Sequence, residues 1–314
     1  MIVCMAMILS TSSLGMAQQV TPPAPISKAL YPETKDRLTE EQMNALVEGP
    51  VEALEQKQLA LAENRFVALL EKARAKEGPT SLTVADLEMS FGVALFMAGK
   101  MENLAGAGDS SIRHIAQSVT DYAAHFGRSH PETALALTSL SDALGELNDD
   151  AMVEQRIPLV RESYAIRQST LGDTHPETLA NRVNLIVLLT HPDIKNRKYF
   201  EEAVSLAADA QRKAPAGMPA GHLLSKDRLG LAAALPMIRM GKVEAGVAQV
   251  KRVLAAYRPS PDNSSVCVGM TKILERISAA LAAEGAEAHS AMVDVNASSM
   301  CLDAMLEAAG KMIE

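Results

Sequence analysis

The sequence predicts an all-α protein built from four to five helix pairs packed side by side, and three observations carry that prediction. Ala, Leu and Met dominate a chain that is 48% hydrophobic and 22% charged, with no Trp and only 3% aromatic residues. Alternation of β-branched residues at period two is nearly absent. One phrase is written twice: Phe126 to Leu144 reads FGRSHPETALALTSLSDAL and Leu171 to Leu189 reads LGDTHPETLANRVNLIVLL, with His130 and His175 standing 45 residues apart. Apolar-periodic runs follow both copies. A helix pair with one apolar face per helix cannot cover both of its sides, so such pairs must stack on neighbours.

Residues 1–17, MIVCMAMILSTSSLGMA, carry no charge, and small residues at Gly15 and Ala17 precede Gln18. This is the pattern of a secretory signal peptide, although no Lys or Arg precedes the apolar run. The mature chain is therefore expected to be periplasmic or secreted. Cys4 lies inside the apolar run, away from any cleavage point, which argues against a lipid-anchored cysteine. No later segment offers about 18 uninterrupted apolar residues, so no membrane span is expected. Residues 18–37 hold three prolines within five positions and read as a solvated linker.

Residues 38–80 read as an N-terminal helical cap. Thr39 and Gln42 have capping-box spacing. Gly49-Pro50 is expected to interrupt the helix, leaving a long one over Ala53 to Lys76, and Glu77-Gly78-Pro79 to end it. Residues 81–263 read as repeats. Turns are expected at Gly99-Lys100, Gly145 to Asp150, His191 to Arg197 and Gly241-Lys242, each followed by a further amphipathic run. Units starting at Ser81, His130, His175, Leu223 and Cys267 are spaced by 49, 45, 48 and 44 residues. Pro158 falls in the first turns of a second helix, where it is tolerated. Residues 264–314 read as a closing helical hairpin around Glu284-Gly285. Cys267 and Cys301 each lie 17 residues from Glu284. In an exported chain that even count predicts a disulfide, with two buried free thiols as the alternative.

A duplicated histidine beside a duplicated glutamate raises the question of a metal or acid/base site. Zinc needs three or four converging ligands, often two His at i, i+4 of one helix. His130 and His175 begin different helices and have no such companion. Helix-start punctuation accounts for the same residues. Ser129 with Glu132 and Thr174 with Glu177 have capping-box spacing. Pro131 and Pro176 sit where a missing N–H costs nothing, and the glutamates favour the positive end of the helix dipole. Proline also pushes the preceding histidine out of the α region, so the histidine is the alternative N-cap.

No nucleophile elbow, Walker loop, dinucleotide fingerprint or His-Glu-x-x-His is present. Gly106-Ala-Gly108 reads as a turn before a helix, since no strand precedes it and no Lys follows. No metal or cofactor is expected, and the chain is expected not to be an enzyme. The net charge of −8 comes with no basic block, which excludes nucleic acid as an expected partner.

The junction from Tyr164 to Thr178, reading YAIRQSTLGDTHPET, resembles the boundary between tetratricopeptide repeats (TPR) of the kinesin light chain class. Tyr199-Phe200-Glu201-Glu202-Ala203 is similar to the start of that family's second helix, and Asn184-Leu185 to a pair in its first. The resemblance is sharp over residues 127–215 and fainter on either side. It implies a right-handed α–α superhelix, a TPR-like solenoid, and a protein or peptide partner held on the concave face made by the first helices.

Carried over by position, the implied groove residues are Asp86, Met89 and Ser90, then Thr138, Ser139 and Asp142, then Asn184 and Val187, then Arg228 and Leu231. Asn184 matches best, because family members often place an Asn there to hold a ligand's backbone amide. The alternative is a structural or oligomerisation module whose groove is filled by its own chain or another copy, for example by the Met-rich tail at Met292, Met300, Met305 and Met312.

Overall fold

The computed structural model describes residues 37–147, 152–213, 226–256, 264–287, 289–290 and 293. Among the described residues there are eleven helices and no strand. In chain order they are α1 (Glu40–Glu55), α2 (Leu59–Glu77), α3 (Leu82–Glu102), α4 (Ala107–Phe126), α5 (Pro131–Leu147), α6 (Val153–Leu171), α7 (Pro176–Leu189), α8 (Arg197–Lys213), α9 (Lys226–Arg239), α10 (Val243–Ala256) and α11 (Ser264–Ala283). The chain divides into two compact units, one ending at Met152 and holding α1–α5, the other running from Val153 and holding α6–α11. Consecutive helices pack in pairs, and alternate helices also touch: α3 with α5, α7 with α9, and α9 with α11. That i, i+2 contact is what stacked helix pairs require.

In the first unit, Thr39 caps α1 as the spacing predicts. Its hydroxyl accepts from the Gln42 N–H, and the Gln42 side chain accepts from the Thr39 N–H. Pro50 does not interrupt α1 but lies inside it. Pro50 has no N–H to offer the Leu46 carbonyl one turn earlier, and Leu46 stands on the exposed side of the helix, at 40% exposure. The expected single helix over Ala53 to Lys76 is instead broken at residues 56–58, where Lys57 takes a left-handed φ of 58°. The core joins α1, α2 and α3 through Val47, Leu54, Phe66, Leu70, Leu87 and Phe91, with the rings of Phe66 and Phe91 stacked at 4.0 Å.

The helix α3 is long and apolar enough to cross a membrane by composition, but its window is largely buried inside the fold. It does not turn at Gly99-Lys100. It continues to Glu102 and stops at Asn103, which is left-handed. Gly99 serves a different purpose, since a Cβ there would stand 3.1 Å from the backbone nitrogen of Gly108 at the start of α4. Where α4 crosses α2 and α3, Glu88 is buried and bonds both His114 Nδ1 at 2.6 Å and Arg74 at 3.2 Å.

In the second unit, one core joins α6, α7, α8 and α9 through Ile157, Val160, Val183, Ile186, Ala203 and Leu229. Another joins α9, α10 and α11 through Leu231, Leu235, Val250, Leu274 and Ile277. α9 and α10 approach closely because each carries a glycine at the contact. A Cβ on Gly230 would meet Val253 Cγ2 at 2.9 Å, and one on Gly246 would meet Ile238 Cγ1 at 2.5 Å. The turn at Glu284-Gly285 follows α11, with Gly285 at φ 74°. The expected Cys267–Cys301 pairing and the Met-rich tail lie outside the described residues.

Candidate functional site

Both copies of His-Pro-Glu-Thr begin a helix, and in both the histidine is the cap. His130 Nδ1 accepts from the Glu132 N–H at 3.1 Å, and His175 Nδ1 accepts from the Glu177 N–H at 3.2 Å. This is the histidine reading rather than the Ser129 or Thr174 capping box. Proline at the next position holds each histidine in the extended region, with His175 at φ −64°, ψ 138°. The extended backbone turns the ring over the helix start, where free N–H groups point outward. His191, which precedes Pro192 in the turn after α7, makes the same local contact without a helix following: its Nδ1 accepts from the Asp193 N–H at 3.3 Å.

The implied groove positions divide sharply by environment. In the first unit, Asp86, Met89, Ser90, Thr138, Ser139 and Asp142 are all buried. The Thr138 hydroxyl donates to its own helix, at the Ala134 carbonyl. In the second unit, Leu231 is fully buried in the core shared by α9, α10 and α11. Asn184 and Val187, one turn apart on α7, are half-buried, and Val187 also packs against both cores. The Arg228 side chain lies outside the described residues. Asn184 and Val187 are thus the described groove positions that retain access to solvent.

Asp86 leads to a constellation that sequence reasoning missed. Arg37, three residues ahead of α1, inserts its guanidinium between α3, α4 and α5. Nε donates to Asp86 Oδ2 at 2.8 Å, and one terminal nitrogen donates to Asp86 Oδ1 at 2.6 Å. The other terminal nitrogen donates to Glu132 Oε1 at 2.9 Å. The Tyr122 hydroxyl donates to Asp86 Oδ1 at 2.6 Å and accepts from Arg37 at 3.3 Å. Burial works to lower the Arg37 pKa, but Tyr122, Asp86 and Glu132 together hold it above the usual arginine range. Burial holds the Asp86 carboxyl above its ordinary value of 3.8 even against the guanidinium, and pushes the Tyr122 phenol well above 10.0. The available signal was a lone arginine closing the Pro-rich segment.

The second unit has its own ionic hub. Arg182 is fully buried on α7. Its Nε donates to the Tyr164 hydroxyl at 2.9 Å, and its terminal nitrogens reach Asp173 at 2.8 Å and Asp209 at 2.9 Å. Lys213 bonds both aspartates, at 2.7 and 3.0 Å. The Lys213 hydrogen bond is the main cause that holds the Asp173 carboxyl below its ordinary range. For Asp209, burial works upward, but Lys213 and Arg182 bring the carboxyl down. Arg182 was legible in principle, because it shares the apolar stripe of Leu179, Val183 and Ile186. Among the described residues, no group of three His, Cys, Asp or Glu is placed to hold a metal ion.

Paired helices with i, i+2 stacking define the class of fold: this is a TPR-like helical repeat. Two crystal structures of a kinesin light chain with nearly identical TPR-like repeats, from Podosopora anserina, are similar to it. The first matches with a TM-score of 0.51 and 15% identity over 68% of this chain and 93% of that chain. The second, a variant of the same repeats, matches with a TM-score of 0.51 and 16% identity over the same shares. At that identity the likeness is one of fold. No protein-family model and no curated protein matches the sequence.

Proposed function

We propose that this chain is an exported, non-catalytic scaffold that binds a protein or peptide partner on the concave face of its repeats. The observation that carries the reading is the TPR-like fold itself, whose usual role is to bind proteins, together with the partial exposure of Asn184 on the first helix of its repeat. An amide with two donors and an acceptor, held on a rigid helix and reachable from solvent, suits the backbone of an extended ligand. The test is a pull-down from envelope extract with the wild type and Asn184→Ala. Loss of specific partners from the variant supports the groove, and identical partner sets sink it. Export rests on the uncharged apolar run and small-residue exit of residues 1–17. Mass measurement of the protein from its native host checks this, since an exported chain begins at Gln18.

A second reading, in which the groove is filled by the chain itself or by another copy, is favoured by one observation. Asp86, a groove position, is already taken by Arg37 of the same chain. Sedimentation of the mature chain separates the two copies of this reading, because a stable oligomer requires another molecule and a monomer leaves Arg37 as the occupant.

A further inference from the structure

The Arg37 contact has the properties of a receptor with a detachable ligand. Its acceptors come from three helices of one unit, Asp86 on α3, Tyr122 on α4 and Glu132 at the start of α5. Both Asp86 oxygens face the two adjacent N–H edges of the guanidinium, a fork that an ammonium group cannot reproduce. With Arg37 in place the receptor is almost closed to solvent at its carboxylate. The Asp86 side chain is only 7% exposed, and the Tyr122 hydroxyl fixes it from behind at 2.6 Å. Glu132 keeps a second buried oxygen, Oε2, that accepts no hydrogen bond, so the site retains an acceptor for a further donor.

The other junction shows what a built-in guanidinium looks like. Glu177, the counterpart of Glu132, takes Nε of Arg167 at 3.2 Å, and Arg167 lies on the helix just before it. The residue 45 positions earlier is Tyr122. At the first junction, then, the guanidinium is not part of the repeat and is delivered from outside it. Arg37 also lies ahead of the helix and takes no part in its cap. The capping box of α1 closes on Thr39 and Gln42, one helix start beyond it. Leu38, the residue between, rests half-buried against the adjoining apolar cluster of α1–α3.

We infer that Asp86, Tyr122 and Glu132 form a guanidinium-binding site for an extended protein segment that presents an arginine followed by an apolar residue. Arg37-Leu38 is the chain's own occupant, and a partner of that chemistry displaces it. This deepens the binding-scaffold reading and rests on it, but its test does not involve Asn184 or the second unit. A tethered occupant acts at a high effective concentration, so the wild type resists competitors and removal of Arg37 opens the site.

The experiment uses the mature full-length chain. Arg37→Ala is melted with and without millimolar ethylguanidinium, which replaces the deleted atoms, with ethylammonium as control. Ethylguanidinium is expected to raise the midpoint of the variant by about 2–4 °C, to leave the wild type unmoved, and to have no effect on Arg37→Ala/Asp86→Asn. If that double variant does not fold, Arg37→Ala/Glu132→Gln gives the same comparison with a milder change. Calorimetric titration with acetyl-Arg-Leu-Thr-amide, residues 37–39 of the chain, is expected to show binding to Arg37→Ala at least about tenfold tighter than to the wild type. Equal rescue by ethylammonium, or rescue that survives Asp86→Asn, overturns the guanidinium site. Rescue by ethylguanidinium without tripeptide binding overturns the docking role and reduces Arg37 to a structural pin. Either failure leaves the Asn184 test standing.

Discussion

The two His-Pro-Glu-Thr junctions start their helices alike and are backed in opposite ways. At the second, the guanidinium beside the motif glutamate is Arg167, and the helix behind it carries buried Arg182 tied to Tyr164, Asp173 and Asp209. Shifted by 45 residues, Arg167 becomes Tyr122, Arg182 becomes Leu137 and Tyr164 becomes Val119. Leu137 and Val119 are buried apolar residues. The capping geometry therefore travels with the motif, while the ionic backing does not. Where the repeat supplies its own cations the junction is closed internally, and where it does not, a segment from outside the repeats completes it. The two sites also answer pH in opposite directions, because burial dominates at Asp86 and cationic partners dominate at Asp173 and Asp209.

The strongest way to break the comparison is at Arg182. Arg182→Ala is expected to destabilise the second unit by about 3–5 kcal/mol in urea melts, the range for removing one partner from a buried ion cluster. Arg182→Leu, which writes the first junction's residue into the second, is expected to cost less because the volume is refilled. If Leu costs as much as Ala, the hub is specified by charge and not by packing.

Arg37→Ala is expected to cost about 2 kcal/mol at pH 7, since it leaves the Asp86 carboxylate buried and unpaired. Without Arg37 the folded Asp86 pKa rises further above 3.8. A raised folded pKa contributes stability at low pH that is lost as pH climbs through it. The deficit of this variant should therefore nearly vanish at pH 4 and grow toward pH 7. A deficit independent of pH would remove Asp86 from the account.

His175→Ala tests the shared half of the comparison. Loss of the cap is expected to cost about 1 kcal/mol, and His130→Ala should cost the same within a few tenths. The smallest effect is expected at Asp173→Ala. Asp173 is a third exposed, so its ion pairs with Arg182 and Lys213 are worth under about 1 kcal/mol. Its depressed pKa places that contribution above the ordinary 3.8 and removes it as pH falls through the folded value. Wild type and variant should converge in acid.

Much of the architecture was legible because it is written in local chemistry. Thr39 and Gln42 fixed one helix start, Gly78 and Gly285 marked two ends, and the spacing of His130 and His175 set a repeat. Errors arose where local signs have a tertiary meaning. Pro50 reads as a breaker yet sits inside α1, and Gly99 reads as a turn yet permits the approach of Gly108. The break at Lys57 has no sign at all, since lysine does not favour a left-handed backbone. The site was less legible for a simpler reason. Arg37 lies 49 residues from Asp86 and 95 from Glu132, and no periodicity links a lone arginine to carboxylates at such distances.

Tyr122 gives the first junction a voice of its own. The chain has no Trp and five Tyr, so the long-wavelength edge of its near-ultraviolet absorption, and the emission excited there, come from phenols. One of those phenols is sealed in the core and hydrogen-bonded to the carboxylate that holds Arg37. A phenol that donates to a carboxylate absorbs and emits differently from one whose acceptor has changed its charge or its partner. The molecule thus carries, without any added label, an optical gauge of whether its guanidinium seat is filled.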